Sequence, residues 1–299
     1  MIRSALALGL LALAASPLAL PVARPAAAAA PSSAAPAAEI VAYGPHHLQQ
    51  MDFYPAAPQD SGPRPLIVFV HGGAWVGGDK SDSTGAAKIR HYTEAGYHLA
   101  SINYRLLPEV DIEDQARDVA AAIGALVANA GPMDIDPQRV VLMGHSAGAH
   151  LAALVGTDPD YLDANGRWPG DIAGVILLDG AALDVPRQIV DAGPLLGFAY
   201  RMAFGDNRGR QEMLSPLHNA NGDNARRFFI LHVERADSTR QARLFGQALI
   251  DNGTDARVMG VPGRGMEGHN LINAMLGRSD SPATQPVDDW LKATFAADS

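Results

Sequence analysis

Cysteine is absent from the 299 residues, and that one absence closes several routes. Without thiols there can be no disulfide staple, no thiolate nucleophile, no cysteine metal site and no lipid-modified cysteine to tether the chain. Positive charge is also short. The 23 Lys and Arg residues face 32 Asp and Glu, a net charge of −9, which argues against nucleic acids and anionic membranes as partners. No His, Asp and Glu set has the spacing of metal ligands, and no glycine loop leads into a lysine as a phosphate cradle would, so neither a metal nor a cofactor is expected. Internal repeats are missing, and so is an apolar run long enough to span a bilayer. The longest, "SALALGLLALAASPLAL" after Arg3, is broken by Pro17.

That run has another meaning. It is followed by "PAAAAAP", with A-x-A sites near Ala28 to Ala30, the pattern of a secretory signal peptide over residues 1–30. Residues 31–39, "PSSAAPAAE", are Ala- and Pro-rich and read as a disordered lead-in. The protein is thus expected to be secreted or periplasmic, with no membrane attachment once the peptide is removed. Taking the two arginines of residues 1–30 from a net charge of −9 leaves −11. Residues 40–299 suit one large α/β domain better than two small ones.

Within that domain, short apolar runs alternate with helical patterns. Strands are expected at 65–73, 98–106, 139–146, 173–180, 227–234 and 256–263, and helices near 84–96, 112–130, 147–156, 238–252 and 284–297. Apolar runs without polar alternation suit strands buried on both faces of a mostly parallel sheet, with helices on either side. In such sheets ligands bind at the carboxyl ends of the strands.

One of those ends carries "VVLMGHSAGAHLAAL" (140–154), with Ser146 in a G-x-S-x-G pattern. Two readings compete. The serine either caps the following helix, or stands on a nucleophile elbow, where the glycines let strand and helix approach and leave its Oγ exposed. The pentapeptide alone does not decide between them. The "HGGAW" stretch (71–75), the acids of "HVERAD" (232–237) and His269 fall at or just beyond the ends of neighbouring strands, and this convergence favours the elbow.

Several segments together, "HGGAWVGGDKS" (71–81), "INYRL" (102–106), "DPQRVVLMGHSAGAHLAAL" (136–154) and "GHNLINAMLG" (268–277), resemble the α/β-hydrolase family, in the branch of feruloyl and acetyl-xylan esterases, carboxylesterases and kynurenine formamidases. The resemblance implies the α/β-hydrolase fold and a Ser-acid-His triad in that chain order. Ser146 would be the nucleophile and His269, in the loop after the last strand, its base. For the acid, both Glu234 and Asp237 are available. Asp237 is favoured because it lies beyond the strand, although a first-turn acid of the next helix would look the same in sequence. The family's oxyanion donors map to the backbone N–H groups of Ala147, Gly72 and Gly73. Asp179 and Asp184 read as strand-end turn residues. The connection 181–224, with "AGPLLGFAYRMAFG" at its centre, is a candidate lid, and Leu195, Leu196, Phe198, Met202 and Phe204 are candidate pocket walls.

These readings point to a serine carboxylic-ester hydrolase acting on small to medium acyl esters, with a small-molecule ester as its partner and no cofactor. An amide hydrolase resembling the formamidases is the alternative, and a binding protein that has lost catalysis on the same fold is a second one.

Overall fold

A computed structural model describes residues 36–58 and 62–297. The signal-peptide expectation for 1–30 and most of the lead-in lie outside the described residues. The lead-in ends in regular structure, because Glu39 opens the first strand.

The apolar runs form a single eight-stranded sheet: β1 (Glu39–Ala42), β2 (Gln50–Tyr54), β3 (Arg64–Val70), β4 (His98–Ile102), β5 (Ile135–His145), β6 (Gly174–Leu178), β7 (Arg227–Glu234) and β8 (Asp255–Arg264). Their order is β1-β2-β4-β3-β5-β6-β7-β8. The pairings β1 with β2 and β2 with β4 are antiparallel, and the rest are parallel.

Side chains alternate across a strand, so a continuous apolar run supplies two cores at once. Leu66, Val68 and Val70 of β3, Val140 and Leu142 of β5, and Phe228 and Ile230 of β7 face one side, where the helices Ile112–Ala128, Ala147–Thr157 and Ala236–Asp251 pack. Ile67 and Phe69, Val141 and Met143, and Phe229 and Leu231 face the other. There Ala86–Glu94, Gly265–Met275 and Thr284–Ala297 add Ile89, Tyr92, Ile272, Trp290 and Phe295. Among the described residues no helix is long and apolar enough to cross a membrane.

Besides several short helices, two strands and one longer helix were not anticipated. β1, at the sheet edge, and β2 beside it are short strands whose "EIVA" and "QMDFY" carry acids within the apolar pattern. The helix Gly265–Met275 begins in "GMEGHN", where glycines mask helical periodicity. His269 therefore lies on a helix and not in the expected loop.

At the β5 end, strand and helix come so close that a side chain cannot fit between them. A β-carbon at Gly148 would stand 2.2 Å from the Val70 carbonyl oxygen, and one at Gly144 would stand 2.3 Å from that of Gly148. Gly148→Ala is accordingly expected to cost about 3 kcal/mol or more, since the obstructing atoms are backbone. Urea unfolding followed by circular dichroism checks this, and an unchanged midpoint would show that the close approach is dispensable.

Lys88, on the Ala86–Glu94 helix, is 1% exposed. Its Nζ lies 4.0 Å from the centroid of the Phe69 ring and donates to Asn273 Oδ1. Burial lowers its pKa from 10.5 to about 7. The unfolded chain keeps this proton until about pH 10.5 whereas the folded chain releases it near pH 7. Its contribution to stability therefore improves as pH rises between those values, and the cost of burying the charge is fully present below them. Lys88→Met should be more stable than the native chain by roughly a few kcal/mol at neutral pH, with the gap closing towards pH 10. Denaturation at three pH values reads the trend, and a gap independent of pH would contradict it.

Candidate active site

Ser146 adopts φ 56° and ψ −119° and makes no side-chain cap bond to the helix it precedes. A non-glycine residue in that region is strained. The close packing of Gly144 and Gly148 imposes the conformation and turns the hydroxyl outward. Its Oγ lies 3.0 Å from His269 Nε2.

His269 sits in the second turn of the Gly265–Met275 helix and is held from two sides. The Nε2–H of His145 donates to the His269 carbonyl at 2.8 Å, and the two rings pack with centroids 4.6 Å apart. Burial, followed by the proximity of His269, lowers the pKa of His145 to about 3. It is a neutral prop.

On its other nitrogen, His269 Nδ1 lies 2.6 Å from Oδ2 of Asp179. Asp179 follows β6 and is wholly buried. Its Oδ1 accepts from Ser238 Oγ at 2.6 Å and from the Val233 N–H at 3.1 Å, while Oδ2 also accepts from Arg235 Nη1 at 2.7 Å. Burial pushes this carboxyl up. The hydrogen bonds from His269 and Ser238, with the Arg235 charge, outweigh it and hold the pKa below the usual aspartate value.

The expected pairing of His269 with Asp237 is therefore corrected. The Ala236–Asp251 helix starts one residue before Asp237, whose Oδ2 accepts from Arg235 Nη2 and Gln188 Nε2, each at 3.1 Å. The guanidinium of Arg235 stands beside the imidazole, and the carboxylate that reaches His269 comes from the neighbouring strand end. Glu234, the other acid considered, closes β7 with its side chain exposed and pairs with Arg264 at 2.7 Å. Arg235 was missed, because its importance lies only in being placed among Asp179, Asp237 and His269. The signal for Asp179 was its position at a strand end, shared with turn residues of no special role.

The glycine loop after β3 faces the serine. A β-carbon at Gly72 would stand 3.0 Å from Ser146 Cβ, and Gly73, at φ 124°, leaves no room for one beside the Gly77 carbonyl. Ala74 and Trp75 follow with φ of 51° and 63°. This strain is held by several bonds. His71 Nδ1–H donates to the Gly72 carbonyl at 2.7 Å, Tyr104 Oη to that of His71 at 2.9 Å, and Gln115 Nε2 to that of Trp75 at 2.8 Å.

Two chambers meet at Ala74. One, about 470 Å³ and open, contains Ser146, His269, Gly72 and Gly73, with Ser83, Asn270 and Asn273 on its polar side. The other, about 360 Å³ and apolar, is walled by Trp75, Val76, Leu107 and Pro108 and by Leu196, Tyr200 and Met202 of the Gly193–Phe204 helix. Of the candidate walls in 181–224, Leu196 and Met202 line this chamber. Phe204 is buried against Trp75 at 4.9 Å between ring centroids, and Leu195 and Phe198 are exposed.

In sequence, the BD-FAE family model matches residues 51–168. A probable isoprenylcysteine alpha-carbonyl methylesterase, ICME, of Oryza sativa subsp. japonica is 39% identical over 114 residues, 38% of this chain and 27% of that protein. Esterase LipQ of Mycobacterium tuberculosis is 30% identical over 201 residues, 63% of this chain and 46% of the relative. The chain thus spans less than half the length of either curated relative. In structure it is similar to esterase B from Lactobacillus rhamnosis, with a TM-score of 0.70 at 20% identity over 87% of this chain and 85% of that one. It is also similar to a butyrate-bound esterase of Thermogutta terrifontis, with a TM-score of 0.69 at 23% identity over 86% and 94%. The strand order, the strained turn at Ser146 and these likenesses lead to one conclusion: this chain has the α/β-hydrolase fold, and its segment around Ser146 is similar in sequence to esterases.

Proposed function

We propose that the protein is a serine hydrolase of carboxylic esters with small to medium acyl groups. The observation that carries this is the unbroken run from Ser146 Oγ to His269 Nε2 at 3.0 Å and from Nδ1 to Asp179 at 2.6 Å, opening onto the polar chamber that meets the apolar one at Ala74. The names of the relatives, methylesterase and esterase, fit the same chemistry.

Asp179 fixes the imidazole with its proton on Nδ1 and leaves Nε2 free to accept. Ser146 Oγ attacks the ester carbonyl as its proton passes to Nε2, and Asp179 stabilises the resulting imidazolium. The negative oxygen of the tetrahedral intermediate is received by the N–H groups of Ala147, Gly72 and Gly73. As the intermediate collapses, the bond to the alcohol oxygen breaks and His269 returns the proton to it. Water then attacks the acyl-enzyme by the same route, releasing the acid and restoring Ser146. The acyl group fits the apolar chamber beside Trp75, and the alcohol leaves through the polar basin.

Hydrolysis of aryl esters of graded acyl length, beside Ser146→Ala and Asp179→Asn, tests this. Loss of Ser146 is expected to reduce turnover by about a millionfold, and the asparagine by about ten-thousandfold, as in serine-protease triads. Labelling by an organophosphonate should vanish with Ser146. Labelling without ester turnover would redirect the site to amides, and retained turnover in Ser146→Ala would remove the serine from the mechanism.

The apolar chamber makes a separate claim about acyl length. Ala199 lines it, so Ala199→Trp should fill it and move the preferred acyl group to shorter chains while leaving acetyl ester turnover within a fewfold. An unchanged length profile would place the acyl group elsewhere.

We also infer export, supported by the signal-like sequence of residues 1–30. Protein recovered from periplasm or medium should begin near residue 31 on N-terminal sequencing, and an intact Met1 there would count against cleavage.

A further inference from the structure

We propose that Arg235 and Asp237 act as a positioning couple behind the triad: Arg235 braces the Asp179 carboxylate, and Asp237 offsets the guanidinium so that His269 can still take up a proton. The chemical purpose rests on the ester-hydrolase reading, but the test does not.

A guanidinium offers only donors. Nη1 of Arg235 donates to Asp179 Oδ2 at 2.7 Å and stands 2.8 Å from His269 Nδ1. While Nδ1 carries the proton given to Asp179, the contact between Arg235 and His269 is donor against donor. The contact becomes a hydrogen bond only if Nδ1 is bare and the imidazole proton moves to Nε2. In that tautomer Nε2–H faces Ser146 and cannot receive its proton. Arg235 therefore strengthens the carboxylate while opposing both the working tautomer and the imidazolium.

Asp237 answers both effects. Its Oδ2 accepts from Nη2 at 3.1 Å and draws the far arm of the fork away from the imidazole. Gln188 Nε2, 3.1 Å from the same oxygen, holds it in place, and Gln188 is itself fixed by Gln241 at 2.8 Å. Asp179, Arg235 and a neutral His269 sum to zero charge and would become positive when the imidazole is protonated. With Asp237 the group passes from −1 to zero. The Arg235 side chain is 13% exposed and that of Asp179 is fully buried, so solvent screens these charges poorly.

The other charged or titratable groups around His269 are His145 against its ring, Lys88 beyond His145, Glu267 on its own helix, and the Glu234–Arg264 pair on the neighbouring strands. All of them stay constant across the variants below.

The experiment is a side-chain ¹H–¹⁵N NMR titration of His269 in the native chain, Asp237→Asn, Asp237→Glu, Arg235→Met and the Arg235→Met/Asp237→Asn double variant, with ester turnover measured on each. Asp237→Asn should move the His269 midpoint about one pH unit lower and Arg235→Met about one unit higher. The double variant and Asp237→Glu should return close to the native midpoint. Turnover of Asp237→Asn should fall about tenfold and recover in the double variant. A native midpoint in Asp237→Asn, or a double variant whose midpoint is no nearer the native one than that of Asp237→Asn, overturns the proposal. Should Arg235→Met not fold, the Asn and Glu replacements of Asp237 decide it between them, because equal shifts in both would mean shape and not charge. Midpoints that move as expected in a chain that turns over no ester would defeat the hydrolase reading and leave the couple standing.

Discussion

The carboxylate of Asp179 is the constraint on which the site depends. It is withdrawn from water at the end of β6, where an ionised aspartate is tolerated only if its lone pairs are filled. Four donors fill them: the imidazole of His269, the guanidinium of Arg235, the Ser238 hydroxyl and the Val233 backbone N–H. These groups come from the end of β7, the first turn of the Ala236–Asp251 helix and the Gly265–Met275 helix. One buried charge thus gathers three elements that all lie far from it along the chain. Removing a single partner of such a buried ion costs about 3 to 5 kcal/mol, so the arrangement that orients the imidazole is also one that the fold cannot easily relax.

Backbone crowding does the complementary work on the other side of the serine. Gly144 and Gly148 bring strand and helix to a separation that excludes a β-carbon, and Ser146 takes up the resulting strain. Ala74 and Trp75 hold further strained conformations in the facing loop. Each costs about 1 to 3 kcal/mol, and each persists because hydrogen bonds from His71, Tyr104 and Gln115 fix the loop carbonyls. The two-sided sheet supplies the stability against which these local costs are set.

This division explains what could be read from the sequence. The six strands β3 to β8 follow from apolar runs, because a run without alternation has only one comfortable place, a sheet covered on both faces. Ser146 and the glycine loop are legible because their requirements are local: a small residue two positions either side of the serine, or no β-carbon in a tight turn. His269 was legible as a residue, though its helix was hidden by glycines. The acid was not legible. Asp179, Glu234 and Asp237 all stand at strand or helix ends, and which one reaches the imidazole is set by the spacing of β6, β7 and the Gly265–Met275 helix, which no local pattern encodes. Arg235 belongs to the same class, since its meaning is entirely relational. Trp75 is buried against Phe204 and His150 and presents a wall to the apolar chamber.

The chambers set the kind of selectivity open to such a site. Walls of Trp75, Leu196 and Met202 offer contact area and no directed hydrogen bond, and a hydrophobic pocket distinguishes neighbours differing by one methylene by only about 1 to 3 kcal/mol. Discrimination among acyl groups placed there, as proposed, would be graded and would fall off only where the chamber ends. The polar basin works differently. Asn273 has its amide oxygen taken by Lys88 and one amide hydrogen by the Ser83 carbonyl, so little of its hydrogen-bonding capacity is left for a group in the basin. Under the proposed ester hydrolysis, a site permissive on the alcohol side and graded on the acyl side would leave the reacting bond, between Ser146 and the glycine loop, as the feature held most tightly.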